Sequence, residues 1–176
     1  MSLNSADTID VHAHAVLEAT MGAAGPHGPE LSHDELPVFR VGQYELHGVR
    51  YRDSVFMEPD LRIAAMDKAG IDYQILSPNP LTYFHFIEET DALQFCRIHN
   101  DALADMTALY PDRLGAFAAV PMQNIDYAIA ETERGGPQDV AAVGRHVLRA
   151  LLAAGACAHQ PVEGLGCAPE LLLLVG

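Results

Sequence analysis

The sequence predicts an α/β fold built around a parallel sheet. Short apolar segments typical of strands alternate with segments typical of helices, in the order strand then helix, three times over. Gly and Pro residues separate most of these segments and mark their ends. Because parallel strands need a crossover connection, usually a helix, this alternation favours half of a barrel or an open α/β sheet. The length of 176 residues suits one domain with a sizeable core.

The first strand is predicted over residues 8–14, where Ile9, Val11 and Ala13 form an apolar face that we expect to be buried. Residues 15–56 are predicted to be a long irregular loop, because Gly and Pro recur there among scattered polar residues. A loop of this length usually covers or builds a functional site.

The first helix is predicted over residues 58–70, since Pro59 suits a first helical turn and Gly70 suits a helix end. The second strand is predicted over residues 71–76, because its residues are mostly apolar and Pro78 follows closely. These two elements complete the first βα unit and begin the second.

The remaining elements continue the same order. A long helix is predicted over residues 88–110, where apolar side chains recur at helical spacing and Pro111 ends the pattern. The third strand is predicted over residues 114–120, which are nearly all apolar, as expected of a strand covered on both faces. A further helix is predicted over residues 126–134.

The composition changes after Arg134, and we divide the chain there into residues 1–134 and 135–176. The second part lacks Phe, Tyr, Ile, Met, Ser, Thr, Asn and Lys, and consists mostly of Ala, Gly, Leu and Val. A helix over residues 138–154 is predicted from its Ala and Leu content, and no strand is predicted after it. Two interpretations stay open: an Ala-rich terminal helix with a loose tail, or a segment produced by a shifted reading frame or a truncated gene model.

Composition excludes several function classes. The formal net charge of −14 argues against binding to nucleic acid or to anionic lipid. The three cysteines, Cys96, Cys157 and Cys167, form no dense framework, so no disulfide is expected and a reducing compartment is indicated. No signal peptide and no stretch long enough to span a membrane is recognised, so we expect a cytoplasmic protein.

The first predicted strand carries a metal-ligand pattern. Side chains alternate along a strand, so Asp10, His12 and His14 are expected to share one face. Two imidazoles at this spacing suit a divalent transition metal, most often zinc. The alternative is a pair of incidental histidines on a half-exposed strand.

Further motifs follow the His-x-His pattern in a fixed order. Residues 9–14 cover the first strand. Five later segments, at 58–63, 66–72, 100–104, 110–113 and 120–123, cover the first helix and second strand, then the second helix and the end of the third strand. In this order they resemble the aminocarboxymuconate-semialdehyde decarboxylase family of the metal-dependent amidohydrolase superfamily. Such an ordered set is far more specific than an isolated His-x-His.

The resemblance implies a (β/α)₈ TIM barrel, of which only the first three or so βα units are recognisable here. It implies one divalent metal, usually zinc, bound by His12 and His14 together with a histidine after the fifth strand and an aspartate after the eighth. The metal polarises a water, and we identify no other catalytic group. No aspartate follows Asp139, and His159 is only a faint match to the fifth-strand histidine, so the remaining ligands are not identified. Asp10 is expected either to orient an imidazole or to anchor the strand.

The resemblance also implies a substrate site for a small aromatic or muconate-like carboxylic acid. Family decarboxylases bind the substrate carboxylate with an arginine of the first loop, and an ungapped count back from residue 58 places it at Arg50, with Arg40 and Arg52 as rivals. Tyr83 and Phe84 follow the second strand and are candidates for the apolar wall.

The predicted activity is that of a metal-dependent decarboxylase. Two alternatives stay open: a hydrolase of the same superfamily acting on a lactone or amide, and an inactive fragment that lacks the rest of the metal site. A partial barrel exposes a strand edge, and the full-length family tends to form dimers, so a homodimer is considered.

Overall fold

The computed structural model describes residues 8–135. They form six strands and three α-helices. Three short 3₁₀ turns lie in the connections, at Glu18–Thr20, Gly25–His27 and Pro80–Thr82. In chain order the elements are β1 (Ile9–Ala15), β2 (Glu30–Leu31), β3 (Val38–Val41), β4 (Tyr44–His47), α1 (Pro59–Ala69), β5 (Tyr73–Pro78), α2 (Glu89–Ala108), β6 (Leu114–Ala116) and α3 (Ile125–Arg134).

The predicted parallel sheet is confirmed. Strands β1, β5 and β6 lie side by side in that order, and both neighbouring pairs are parallel. Helices α1 and α2 connect them, as the crossover rule requires. The described residues therefore contain the first three βα units of a mixed α/β fold, and the full barrel stays a prediction.

The helix ends follow the local sequence. Helix α1 begins at Pro59, and the backbone N–H of Gly70 closes it by bonding the carbonyls of Asp67 and Met66. Helices α2 and α3 start and end within two residues of their predicted limits. The third strand is shorter than predicted: β6 ends at Ala116, since the backbone N–H of Phe117 makes the last bond to β5, at Leu76.

The prediction of an irregular loop over residues 15–56 is wrong in part, because strands β2, β3 and β4 form a small antiparallel sheet there. Strands β3 and β4 join through a two-residue hairpin, in which Gly42 has a φ of 59°. A positive φ at the first central residue is what a type II′ hairpin turn requires, and glycine adopts it without strain. In β3 the buried residues Phe39 and Val41 alternate with partly exposed ones, a period-two pattern that the Gly and Pro content obscured.

Two hydrophobic clusters hold the elements together. One lies between the parallel sheet and its helices and includes Leu76, Leu103 and Leu114. The other lies under the small antiparallel sheet and is rich in aromatic rings, including Phe39 and Phe95. The long connection after β1 is therefore packed against the rest of the fold by a core of its own.

The expected apolar face of the first strand is only partly buried. Ala13 and Ala15 are buried, but Ile9 is 38% exposed and Val11 is 54% exposed. The expectation is wrong for these two residues, because a bulge between Asp10 and Ala13 breaks the alternation that would place Ile9 and Val11 on the face of Ala13.

Some predictions lie outside the described residues: the helix over residues 138–154, the division of the chain after residue 134, and the assignments of His159, Cys157 and Cys167. Cys96 is a free, buried thiol. Within residues 8–135, no helix is both long enough and apolar enough to cross a lipid bilayer.

Candidate metal centre

The His-x-His motif lies at the carboxyl end of β1, where a bulge alters the expected alternation of side chains. Between Asp10 and Ala13 the first strand advances three residues while β5 advances two, from Gln74 to Leu76. Strict alternation of Asp10, His12 and His14 is therefore wrong. The two imidazoles are nevertheless neighbours, with ring centroids 5.1 Å apart and planes at 76°. The bulge retains the pairing of the rings that the motif predicted.

The ring of His14 is held by the end of the neighbouring strand. Its Nδ1 lies 3.0 Å from the carbonyl oxygen of Pro78 and 2.8 Å from Oγ of Ser77. A carbonyl can only accept a hydrogen bond, so Nδ1 carries the proton and the lone pair is on Nε2. Desolvation by burial, together with the nearby charges of His12 and Arg62, lowers the pKa of His14. The neutral imidazole with a free Nε2 is the form that binds a metal.

Asp10 contacts the backbone of the motif. Its Oδ1 accepts a hydrogen bond from the backbone N–H of His12 at 2.9 Å, and its Oδ2 accepts one from Nε2 of Gln74 at 2.7 Å. Within residues 8–135 neither imidazole is a hydrogen-bond partner of Asp10. Of its two predicted roles, these contacts favour anchoring the strand.

Two buried polar residues beside the motif were missed by the sequence predictions. Arg62 of α1 is 5% exposed and donates from Nη2 to the carbonyl oxygen of His14 at 2.8 Å. Gln74 of β5 is 7% exposed and accepts from Nη1 of Arg62 at 2.7 Å. A signal existed: Arg62 lies four residues before the buried Met66, on the inward face of its helix.

The donor set fits part of a metal site. Two imidazoles side by side are suitable ligands for a divalent transition metal. No third histidine, cysteine or carboxylate joins them among the residues that the structure describes. A catalytic site of this kind uses three or more protein ligands, so His12 and His14 supply only part of it.

The structure separates the three candidate arginines by their contacts. Arg40 pairs with Glu30 of the small sheet, and Arg52 forms a bidentate pair with Glu18 at 2.9 and 3.2 Å. Arg50 is exposed, and no hydrogen bond or ion pair engages it in the described part of the chain. The guanidiniums of the two rivals are therefore occupied by the protein itself, and that of Arg50 is available to a ligand.

The segment that carries Arg50 is attached to the carboxyl edge of the parallel sheet. The hydroxyl of Tyr51 lies 3.5 Å from Nδ2 of Asn79, directly after β5, and the carbonyl of Phe56 accepts from the N–H of Val16, directly after β1. In parallel α/β folds this edge is where ligands bind.

The two aromatic candidates after β5 have different environments. Tyr83 is 43% exposed, and its ring stacks on that of His85 at 5.8 Å. Phe84 is 2% exposed and packs edge to face on Phe95 at 4.7 Å within the aromatic cluster. Tyr83 is accessible to a ligand, whereas the assignment of Phe84 to a pocket wall is corrected to core packing.

A parallel sheet connected by helices, with functional side chains at the carboxyl ends of its strands, is the arrangement of many α/β enzymes. The chain belongs to the amidohydrolase family, which it matches over residues 9–151. The resemblance drawn from the motifs is thereby confirmed.

Two curated relatives are decarboxylases. Gamma-resorcylate decarboxylase of Rhizobium radiobacter is 40% identical over 75 residues, which are 43% of this chain and 23% of the relative. The 2-amino-3-carboxymuconate-6-semialdehyde decarboxylase of Dictyostelium discoideum is 30% identical over 82 residues, which are 47% of this chain and 23% of the relative. The chain thus spans less than a quarter of the length of these relatives.

A solved structure is similar over a larger part of the chain. It is a dihydroxybenzoic acid decarboxylase from Polaromonas sp. JS666 with bound manganese and the inhibitor 2-nitroresorcinol. The two chains are 28% identical with a TM-score of 0.51, and the match covers 72% of this chain and 34% of the other. This similarity agrees with an α/β fold of the amidohydrolase type.

Proposed function

We propose that this protein is a metal-dependent decarboxylase acting on a small aromatic or muconate-like carboxylic acid. The observation that carries the proposal is the pair of imidazoles at the end of β1, with Nε2 of His14 left free by the bond from Nδ1 to Pro78. The relatives support the reaction class, since both are named as decarboxylases, one of gamma-resorcylate and one of 2-amino-3-carboxymuconate-6-semialdehyde.

His12 and His14 would hold the ion in this proposal. When bound, a divalent ion acts as a Lewis acid and lowers the pKa of a coordinated water towards about 7. The protein's own contribution is to present two neighbouring imidazoles at the end of β1 and to fix the tautomer of His14. The manganese in the Polaromonas structure supports a divalent metal. Zinc, the ion expected from the His-x-His motif, is retained here as a proposal.

Arg50 would bind the substrate carboxylate. A guanidinium fork matches the two oxygens of a carboxylate, and it also compensates locally for the strongly acidic net charge of −14. Tyr83 would contact the ring of the substrate, since it is exposed beside the same edge.

The test is carbon dioxide release from gamma-resorcylate by the full 176-residue chain loaded with Mn²⁺ or Zn²⁺. We expect release to be lost with a chelator and restored by adding the metal back. His14→Ala should abolish release and lower metal content. His47→Ala is the matched control, because His47 is exposed and pairs only with Glu45 in the described part of the chain.

The result decides among the three functions. Ring opening of a lactone without carbon dioxide release would replace the decarboxylase by a hydrolase. A chain that binds no metal and releases no carbon dioxide would be an inactive fragment, and the proposal would be rejected.

The role of Arg50 has its own test. Arg50→Ala should raise KM and lower kcat while leaving the free energy of unfolding unchanged, because the described structure gives this guanidinium no protein partner to lose. Unchanged kinetics would contradict the assignment.

A further inference from the structure

A chain of hydrogen bonds links helix α1 to the metal motif. Nη1 of Arg62 donates to Oε1 of Gln74 at 2.7 Å, and Nε2 of Gln74 donates to Oδ2 of Asp10 at 2.7 Å. Oδ1 of Asp10 then accepts from the backbone N–H of His12 at 2.9 Å. A second branch runs directly from Nη2 of Arg62 to the carbonyl oxygen of His14 at 2.8 Å. One guanidinium therefore reaches the backbone of both histidines.

The direction of this chain is set by chemistry. Arg62 can only donate, so the amide of Gln74 must turn its oxygen towards Arg62. The amide nitrogen then faces Asp10, whose ionised carboxylate can only accept. Because Arg62 is always a donor and the Asp10 carboxylate always an acceptor, only one orientation of the Gln74 amide forms both hydrogen bonds. These bonds hold the carboxylate where it accepts from the N–H of His12.

Burying the Arg62 guanidinium and the Gln74 amide costs free energy unless their polar groups form hydrogen bonds. Arg62 and Gln74 are 5% and 7% exposed, and a buried guanidinium loses its hydration. Nε of Arg62 is buried and has no hydrogen-bond partner in the described part of the chain. The contacts that compensate for this cost go to Gln74 and to the His14 backbone, on the side of α1 that faces the motif.

The bulge explains why the motif needs this support. An extra residue between Asp10 and Ala13 shifts the register with β5, and His12 has no paired residue in that strand. Its backbone N–H donates to the side chain of Asp10 instead. We infer that Arg62 is a positioning residue, which acts through Gln74 and Asp10 to fix the bulged backbone from which both imidazoles are presented. This inference rests on the proposed metal function.

The experiment compares Arg62→Met with Arg113→Met in the full chain. Arg113 makes comparable bonds, to the carbonyls of Ile71 and Asp72 and to the carboxylate of Asp67, at the opposite end of the sheet. Both variants lose a guanidinium that makes several hydrogen bonds, buried in Arg62 and 25% exposed in Arg113, so both report the general effect on folding. Urea unfolding of each apo variant measures that effect separately.

Co²⁺ is the metal probe, titrated by calorimetry and by its visible absorption. We expect Arg62→Met to raise the Kd for Co²⁺ about tenfold or more, as loss of an outer support of a metal ligand does, and Arg113→Met to keep the wild-type Kd. Gln74→Met should also weaken Co²⁺ binding, because it breaks the series of hydrogen bonds between Arg62 and Asp10. The direct bond from Arg62 to the His14 carbonyl remains in this variant. If Arg62→Met does not fold, Gln74→Met is compared with Arg113→Met in its place.

Hydrogen exchange of the His12 amide is a second readout that needs no metal. Exchange should be faster in Arg62→Met and Gln74→Met than in wild type and unchanged in Arg113→Met. A wild-type Kd for Co²⁺ in both Arg62→Met and Gln74→Met, or an equal loss of affinity in Arg113→Met, overturns the inference. If wild type binds no Co²⁺, the proposed function fails, and His12 exchange still decides whether Arg62 positions the motif.

Discussion

Glu131 on α3 permits a quantitative test of how the third βα unit is held. Its side chain is 0% exposed and accepts two bonds from Arg134, at 2.7 and 2.8 Å, and one from Asn100 at 2.9 Å. Asn100 lies on α2 and also bonds the backbone at Ala119, so the buried carboxylate ties α3 to α2 and to the segment after β6.

Glu131→Gln keeps the size of the side chain and removes the charge. One carboxylate oxygen becomes an NH₂ group that faces an N–H donor, so at least one charge-assisted bond is lost and the buried NH₂ group is left without an acceptor. A bond to a charged group contributes about 1.5–3 kcal/mol, and an unsatisfied buried group costs about 1–3 kcal/mol. Since Arg134 is 37% exposed and can regain water, we expect a loss of about 3 kcal/mol.

Asp101→Asn is the matched control. Asp101 also accepts from Arg134, at 2.7 Å, but its side chain is 64% exposed, so its loss should cost less than about 1 kcal/mol. Urea unfolding followed by circular dichroism measures both values. If both variants lost the same small amount of unfolding free energy, that result would refute the argument. The expected difference requires that the burial of the carboxylate, and not only its distance from Arg134, determines how much the contact contributes to stability.

The pH dependence follows from the same contacts. Burial raises the pKa of Glu131, but bonds from Arg134, Asn100 and Arg97 outweigh it and leave the pKa below its ordinary value. A lowered pKa in the folded state stabilises the fold at pH values above the unfolded pKa of about 4.3. The difference between wild type and Glu131→Gln should therefore be full at neutral pH and shrink as the pH falls through the folded pKa of Glu131. A difference that grew on acidification would contradict this sign.

Three further substitutions test packing and pairing by urea unfolding. Gly115→Ala places a Cβ 2.7 Å from the hydroxyl of the buried Tyr73, so it should cost about 1–3 kcal/mol, and a neutral effect would show that the ring moves aside freely. Leu76→Ala removes a fully buried side chain from β5 and should cost about 3 kcal/mol, whereas a loss below about 1 kcal/mol would mean that the core collapses around it. Arg52→Ala removes the pair with Glu18 and the bonds to the carbonyls of Leu31 and Ser32, so it should cost about 1–2 kcal/mol without changing KM for gamma-resorcylate. A raised KM would assign Arg52 the role proposed for Arg50.

Periodicity and punctuation in the sequence were enough to predict the order of the βα units. Helix-breaking and turn-forming residues act on their immediate neighbours, so Pro59 and Gly70 could be assigned to the two ends of α1 without tertiary information. The His-x-His motif was equally local, and the ordered motifs around it led to the amidohydrolase family. The small antiparallel sheet was missed, because its period-two pattern is short and was outweighed by Gly and Pro.

Tertiary structure alone decided how the motif is held and which charges are free. The bulge in β1 depends on its register with β5, and the contacts of Asp10 and His14 reach residues 64 positions away in the chain. Hydrogen-bond partners this far apart in the sequence are determined only when the elements pack together. The three arginines of the first connection are therefore alike in the sequence. Only the folded chain shows that Arg40 and Arg52 are paired and that Arg50 is not. The same packing buries Arg62 beside the His-x-His motif, a position that the sequence predictions missed and that its contacts define.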